Sequence, residues 1–196
     1  MAAVKPLYIP PPSHDLAESG TLILRDGTTA GIRLTTPDDR VLLRSFVDHL
    51  SPESKRHRFF AMGNPPAELI DTWCTSSAPR SQLTLIVTRL RKGQEHVIAA
   101  GSYFARDETT AEVALAVDDG FHGKGLGTLL LERLALLAIR HGFSRLCAVT
   151  HVENLPMREV FRESGFEWAE TVEGGDRKST RLNSSHSSVS RMPSSA

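Results

Sequence analysis

The stretch with the clearest chemistry is His122-Gly123-Lys124-Gly125-Leu126-Gly127. Glycine at alternate positions lets the backbone adopt φ > 0 and approach a ligand closely, so that successive N–H groups converge on one anion. A strongly apolar helical pattern begins directly after it, and a helix N-terminus adds roughly half a positive charge at the same point. Such a turn suits a phosphate or a pyrophosphate, with Lys124 adding a mobile positive charge at the rim. The spacing narrows the class of ligand. A P-loop requires Gly-x-x-x-x-Gly-Lys-Ser/Thr and a dinucleotide fingerprint requires Gly-x-Gly-x-x-Gly, whereas Gly123, Gly125 and Gly127 simply alternate. Taken alone, these residues also allow a purely structural turn. Cys74 and Cys147 lie far apart and fit neither a disulfide framework nor a zinc site. Cys147, in an apolar run, reads as core, and no metal site is expected.

The elements that must position this turn are legible in outline. Residues 1–20, with Pro10-Pro11-Pro12, read as an irregular arm. Residues 21–34 alternate apolar and polar around Asp26-Gly27, the pair favoured in tight hairpins. Thr36-Pro37-Asp38-Asp39 then opens an amphipathic helix, with Thr36 as N-cap, Pro37 in the first helical position and carboxylates in the first turn. Val41, Leu42, Phe46 and Leu50 recur at helical spacing and are expected to face the core. A short basic helix follows Ser51-Pro52, and a third helical segment follows Pro65-Pro66. Three strand-like runs, at 83–90, 96–104 and 111–117, are joined by short polar turns and predict an antiparallel meander leading into the glycine turn. The long helix after Gly127 stops at His141-Gly142. Beyond it come a buried strand, a helix ended by Gly165 and a last strand at 166–172. The fold class is therefore α/β, with a mixed central sheet flanked by helices: an antiparallel meander first, then strands linked by helix crossovers.

Composition removes other classes of function. The chain has 196 residues, 40% hydrophobic and 23% charged, with 23 Lys+Arg balancing 23 Asp+Glu. This suits one globular domain, gives no electrostatic support for a nucleic-acid partner and offers no apolar run near the ~20 residues of a membrane helix. The N-terminus lacks the apolar stretch of a secretory signal, so a cytoplasmic location is expected. After Gly174-Gly175 the composition turns Ser-rich and nearly free of aliphatic residues, so 176–196 is expected to be disordered. This tail holds Arg177, Lys178, Arg181 and Arg191 against Asp176, which leaves residues 1–175 mildly acidic. A choice of codons for Asp176–His186 resembles a widely used short-read sequencing adapter. On that reading the tail is an artefact, with no function to assign, and the native C-terminus is missing.

Three segments together resemble the GNAT superfamily of acyl-CoA-dependent N-acetyltransferases. His122–Gly127 matches the family signature Gln/Arg-x-x-Gly-x-Gly/Ala except that His122 replaces Gln or Arg. Asn154–Phe166 resembles its Asn-led helix ending in Gly-Phe, and Gly31–Asp39 resembles its first strand and helix start. A closer similarity is to the acetyltransferase domain of bacterial Pat-type protein-lysine acetyltransferases, carried by Thr21–Thr29, Leu50–Phe60 and Ala111-Glu112-Val113-Ala114.

The resemblance implies a GNAT domain over 21–175 with its final strand missing. It implies acetyl-CoA as cosubstrate and a primary amine as acceptor, with a lysine-bearing protein favoured and attack direct, in a ternary complex. The backbone of Leu115 and Val117 would pair with the pantetheine arm, and the N–H groups of His122, Gly123, Lys124, Gly125, Leu126, Gly127 and Thr128 would cradle the pyrophosphate. Asn154 would contact the cofactor arm, although its side chain also suits an N-cap. Glu112 would be the general base, because a lysine ammonium must lose a proton before its nitrogen attacks a thioester. Phe161 stands at the cofactor-facing position where many relatives carry a proton-donating Tyr. The alternative is a non-catalytic acyl-CoA-binding sensor, and a dinucleotide-binding domain is more distant.

Overall fold

A computed structural model describes residues 7–9, 18–61, 63–75, 78–173 and 177–183, with side chains placed for 18–61, 63–75 and 78–169. The strands among these residues are β1 (Leu7–Ile9), β2 (Ser19–Ile23), β3 (Thr29–Leu34), β4 (Gln82–Arg91), β5 (Gln94–Ala105), β6 (Thr110–Val117), β7 (Arg145–His151), β8 (Trp168–Glu173) and β9 (Arg177–Asn183). The helices are α1 (Arg40–His49), α2 (Pro52–Phe59), α3 (Ala67–Trp73), α4 (Leu126–Arg140) and α5 (Leu155–Glu163). One sheet takes the order β1-β2-β3-β4-β5-β6-β7-β9-β8. All neighbours are antiparallel except β6 and β7, which are parallel and joined by the α4 crossover. The expected mixed sheet, meander first and helix-linked strands afterwards, is what forms.

Each face of the sheet buries its own layer. On one side Leu83, Leu85 and Val87 of β4 and Val113 of β6 pack with Leu126, Leu130, Leu134 and Leu137 of α4. On the other, Ile86, Val97 and Ala100 pack with Leu43, Phe46 and Val47 of α1 and Ile70 and Trp73 of α3. Because both faces are covered, β4 is buried continuously from Leu83 to Thr88, as a central strand requires. The helix entry works as the sequence suggests. Asp39 accepts the Thr36 N–H at 2.7 Å and the Thr36 hydroxyl at 3.0 Å, and Arg33 grips the same carboxylate with two contacts of 2.7 Å. The expected core face of α1 needs correction, because Val41 is 76% exposed. The stripe is set by Leu43, Phe46, Val47 and Leu50, and at 100° per residue Val41 falls almost opposite Leu43.

Two further expectations change. The arm 1–20 is not wholly irregular, since Leu7–Ile9 pairs with β2 and Ser19-Gly20 already belong to β2. The final strand is not missing: the backbone of Arg177–Asn183 forms β9, antiparallel to both β7 and β8, and carries the sheet past the expected boundary at residue 175. Two open strand edges face each other across that gap, and backbone hydrogen bonding there outweighs the weak strand propensity of a polar segment. Residues 184–196 lie outside the described residues.

The feature that matters for function is where β6 and β7 part. They pair only at Thr110↔Arg145, Ala111↔Leu146 and Glu112↔Cys147. Beyond this point β6 stays bound to β5 as far as Val117 and β7 stays bound to β9 as far as His151. The sheet therefore forks rather than frays.

Two stability tests follow from this packing. A Cβ on Gly101 of β5 would lie 2.7 Å from Leu115 Cδ2 and 2.8 Å from Leu130 Cδ2. Gly101→Ala is expected to cost about 1–3 kcal/mol, read by thermal unfolding, and an unchanged melting temperature would contradict the packing. Burial works to raise the Asp39 carboxyl, but Arg33 and Thr36 outweigh it and hold it below the ordinary value. Asp39 therefore adds stability that is complete above the unfolded carboxylate range and is lost as pH falls through the folded pKa. Asp39→Asn is expected to cost about 1.5–3 kcal/mol at neutral pH, with the gap to the parent closing below about pH 4. Urea unfolding across pH checks this, and a gap that ignores pH would contradict it.

Candidate active site

The fork opens into a cavity of about 530 Å³. One wall is the diverging strands, Val113–Val117 on β6 and Ala148–Thr150 on β7. A second is the glycine turn with the start of α4 and the facing side of α5. The third is α2 with Phe59–Ala61, Asn64–Pro66 and Leu69. Glu112, at the last paired position of the fork, lies on the cavity wall at its vertex.

Local sequence dictates the shape of the turn. After β6, Asp118 accepts the Gly120 N–H at 2.9 Å and starts a single tight turn, Asp119–Phe121. Gly123 and Gly125 then take φ of 72° and 82°, which alternates the backbone so that neighbouring N–H groups share a concave side. Gly125 precedes α4 and no side chain caps the helix, so its first-turn amides face the turn without the usual side-chain acceptor. Gly127 serves packing: a Cβ there would come within 2.7 Å of Val160 Cγ2. It lets α4 lie against α5.

The expected site residues separate into those brought together and those left out. Glu112, Leu115, Val117, His122, Gly123, Gly125, Leu126, Gly127, Thr128 and Asn154 all line the one cavity. Lys124 does not: its ammonium lies 2.9 Å from Asp26 and 5.1 Å from the Phe121 ring centroid, so it is not a mobile charge at the rim. Phe161 is likewise off the wall, buried in the core with its ring 4.5 Å from that of Trp168. Met157 and Val160 face the cavity from α5 in its place. His122 brings Nε2 to 3.0 Å from the Val117 carbonyl, closing the turn back onto β6. Asn154 is buried and caps α5, accepting the Met157 N–H at 3.1 Å, while still lining the cavity. Glu112 is half-exposed, 3.5 Å from Arg106 Nη1. Cys147, opposite it on β7, is buried, and burial pushes the Cys74 thiol up, away from thiolate character.

The sequence reading did not single out the residues on the α2 wall. Ser51 N–H, Ser51 Oγ and Ser54 Oγ donate to Asp119 at 2.9, 2.8 and 2.7 Å, which docks α2 beside the glycine turn. This brings His57 and Arg58 to the cavity. The Arg58 guanidinium carbon lies 5.1 Å from the Trp73 ring and 5.3 Å from the Phe59 ring, and its Nε is buried without a hydrogen-bond partner. Burial pushes its pKa down to about 10, against the pull of the Glu112 charge. Burial and the neighbouring Arg56 also lower His57. Arg25 and Glu163 complete the missed set, lining the cavity from the β2–β3 turn and the end of α5. The sequence signals for the α2 wall were the basic run Lys55–Arg58 and the resemblance of Leu50–Phe60 to Pat-type enzymes, neither of which assigned a role to a single side chain.

Known proteins share this fold. The GNAT domain of the Streptomyces lividans (S. lividans) protein PAT superposes with a TM-score of 0.75 at 28% identity, covering 87% of this chain and 99% of that one. An acetyltransferase of Pseudomonas aeruginosa is 27% identical over 145 residues, 73% of this chain and 77% of its own length. YncA of Salmonella typhimurium, described as a putative acetyltransferase with its cofactor acetyl-CoA, shares the fold at 18% identity, with a TM-score of 0.63 and coverage of 86% and 100%. Residues 46–166, which hold the fork, the glycine turn and both flanking helices, match the profile of the Acetyltransferase (GNAT) family. The chain belongs to that family, the acetyl-CoA-dependent N-acetyltransferases.

Proposed function

We propose that this protein transfers the acetyl group of acetyl-CoA to a primary amine, with a protein lysine as acceptor, by direct attack within a ternary complex. The observation that carries the reading is the position of Glu112, at the vertex of a fork whose wall joins the glycine turn on one side and α2 on the other. The residues present suit the cosubstrate. Unpaired edges of β6 and β7 offer hydrogen-bonding groups to an amide-bearing arm, with Leu115 and Val117 on the β6 side, and the amides from His122 to Thr128 offer a concave row of donors to a pyrophosphate. Asn154 would touch the arm with the part of its side chain not used in capping. When bound, acetyl-CoA supplies a thioester whose C–S bond breaks as the amine nitrogen forms the amide.

The chain's own residues set up that step. Glu112 takes a proton from the incoming ammonium, directly or through one water, and returns it to solvent along its exposed side. Arg106 Nη1 lies 3.5 Å from the Glu112 carboxylate, and Arg58 lines the same cavity. Phe59, Phe60, Pro65 and Pro66 give the acceptor side an apolar wall suited to the methylene stem of a lysine. With Phe161 in the core, the leaving thiolate takes its proton from solvent. The buried cysteines play no covalent part. The resemblance to Pat-type enzymes and the similarity to the GNAT domain of S. lividans PAT support a lysine acceptor.

Glu112→Gln keeps the shape of the site and removes the base. It is expected to bind acetyl-CoA within about twofold of the parent while turnover on lysine peptides falls at least about 100-fold. Calorimetry and a thiol-release assay check the two halves. Full turnover in the variant would contradict the role of Glu112, and a parent that binds but never turns over would point to a sensor.

A further inference from the structure

The family signature opens with Gln or Arg, and here that position is His122, whose Nε2 is engaged with the Val117 carbonyl. The only lysine in the turn, Lys124, is paired with Asp26 and lies off the cavity wall. The anion cradle is therefore left without a fixed positive charge from its own segment. A different element brings a guanidinium to it. The β2–β3 turn sits directly on the glycine turn: the Arg25 N–H donates to the Lys124 carbonyl at 3.1 Å, and the next residue, Asp26, holds the Lys124 ammonium. From this anchor the Arg25 guanidinium reaches across to α5 and pairs with Glu163, which also lies 3.5 Å from Thr128 Oγ1 in the first turn of α4. Arg25, Gly123, Gly125, Gly127, Thr128 and Glu163 line the same cavity. The Arg25 Nε is buried and has no hydrogen-bond partner among the described residues.

A carboxylate beside an anion cradle repels the ligand unless a cation compensates it, and a buried guanidinium N–H without an acceptor carries a desolvation cost that a ligand oxygen would relieve. Both conditions are met at one place. We infer that Arg25 binds the diphosphate of acetyl-CoA from the β2–β3 turn through its buried, unpartnered Nε–H, and that Glu163 is its positioning residue. A guanidinium suits this task because one edge can hold a carboxylate while another N–H addresses a phosphate oxygen. The inference rests on the cosubstrate being acetyl-CoA and is independent of the acceptor.

The test is calorimetric titration of acetyl-CoA, and of S-acetylpantetheine, which lacks the diphosphate, into the parent, Arg25→Ala, Arg25→Lys, Glu163→Gln and the Arg25→Ala/Glu163→Gln pair. Thermal unfolding of each is recorded alongside. Arg25→Ala is expected to weaken acetyl-CoA about tenfold or more and to leave S-acetylpantetheine unchanged, with Arg25→Lys intermediate. The double variant is expected to bind acetyl-CoA more tightly than Arg25→Ala, because the repelling carboxylate is gone. If the ion pair served stability alone, Arg25→Ala and Glu163→Gln would lose affinity for both ligands alike and the double variant would show no recovery; that result overturns the inference, as does Arg25→Ala binding like the parent. A parent that binds no acetyl-CoA would instead overturn the cosubstrate reading on which the inference rests.

Discussion

The whole site depends on one interruption of hydrogen bonding. After Glu112↔Cys147 the parallel ladder between β6 and β7 stops, although both strands continue. Left open in water, such edges are an aggregation hazard, and buried without partners they cost free energy. Here they persist because β5 holds β6 and β9 holds β7 on their outer sides, while α4 packs across the sheet beneath. A ligand with amides along a flexible arm can complete what the protein leaves undone, which links the topology of the sheet to the chemistry of the cosubstrate.

Around that gap the protein places its electrostatics in two zones. The zone at the glycine turn holds backbone donors, the start of α4 and the Arg25–Glu163 pair, with Lys124 withdrawn to Asp26. The zone at the fork vertex sets Glu112 against Arg106 and a desolvated Arg58 stacked on Phe59 and Trp73. Asp119 ties the zones together, since it lies in the turn between β6 and the glycine segment and anchors the N-terminus of α2. Among the described residues no helix is long and apolar enough to cross a membrane.

What was legible in the sequence is what is encoded locally. The glycine turn, the Asp26-Gly27 hairpin, the capped entry to α1 and the stop at Gly142 each depend on neighbours a few residues apart, and each forms. Val41 was misread because an apolar type at helical spacing does not say which of two offset stripes faces the core, and Leu43 decides it. β9 was missed because a strand that fills a gap between two open edges needs little propensity of its own. Arg25 and Glu163 lie 138 positions apart in the chain, so no spacing pattern could have joined them. Arg58 stayed hidden for the same reason, its partners Trp73 and Glu112 being supplied by other elements.

The central claim is that the open edge of β6 receives the cosubstrate arm. Amide hydrogen exchange of the parent protein, followed residue by residue with and without saturating acetyl-CoA, tests it most directly. The account predicts marked slowing at Leu115, Val117 and the amides from Gly123 to Thr128, with little change on β4. Binding that leaves Leu115 and Val117 exchanging as before would place the arm elsewhere and contradict the account.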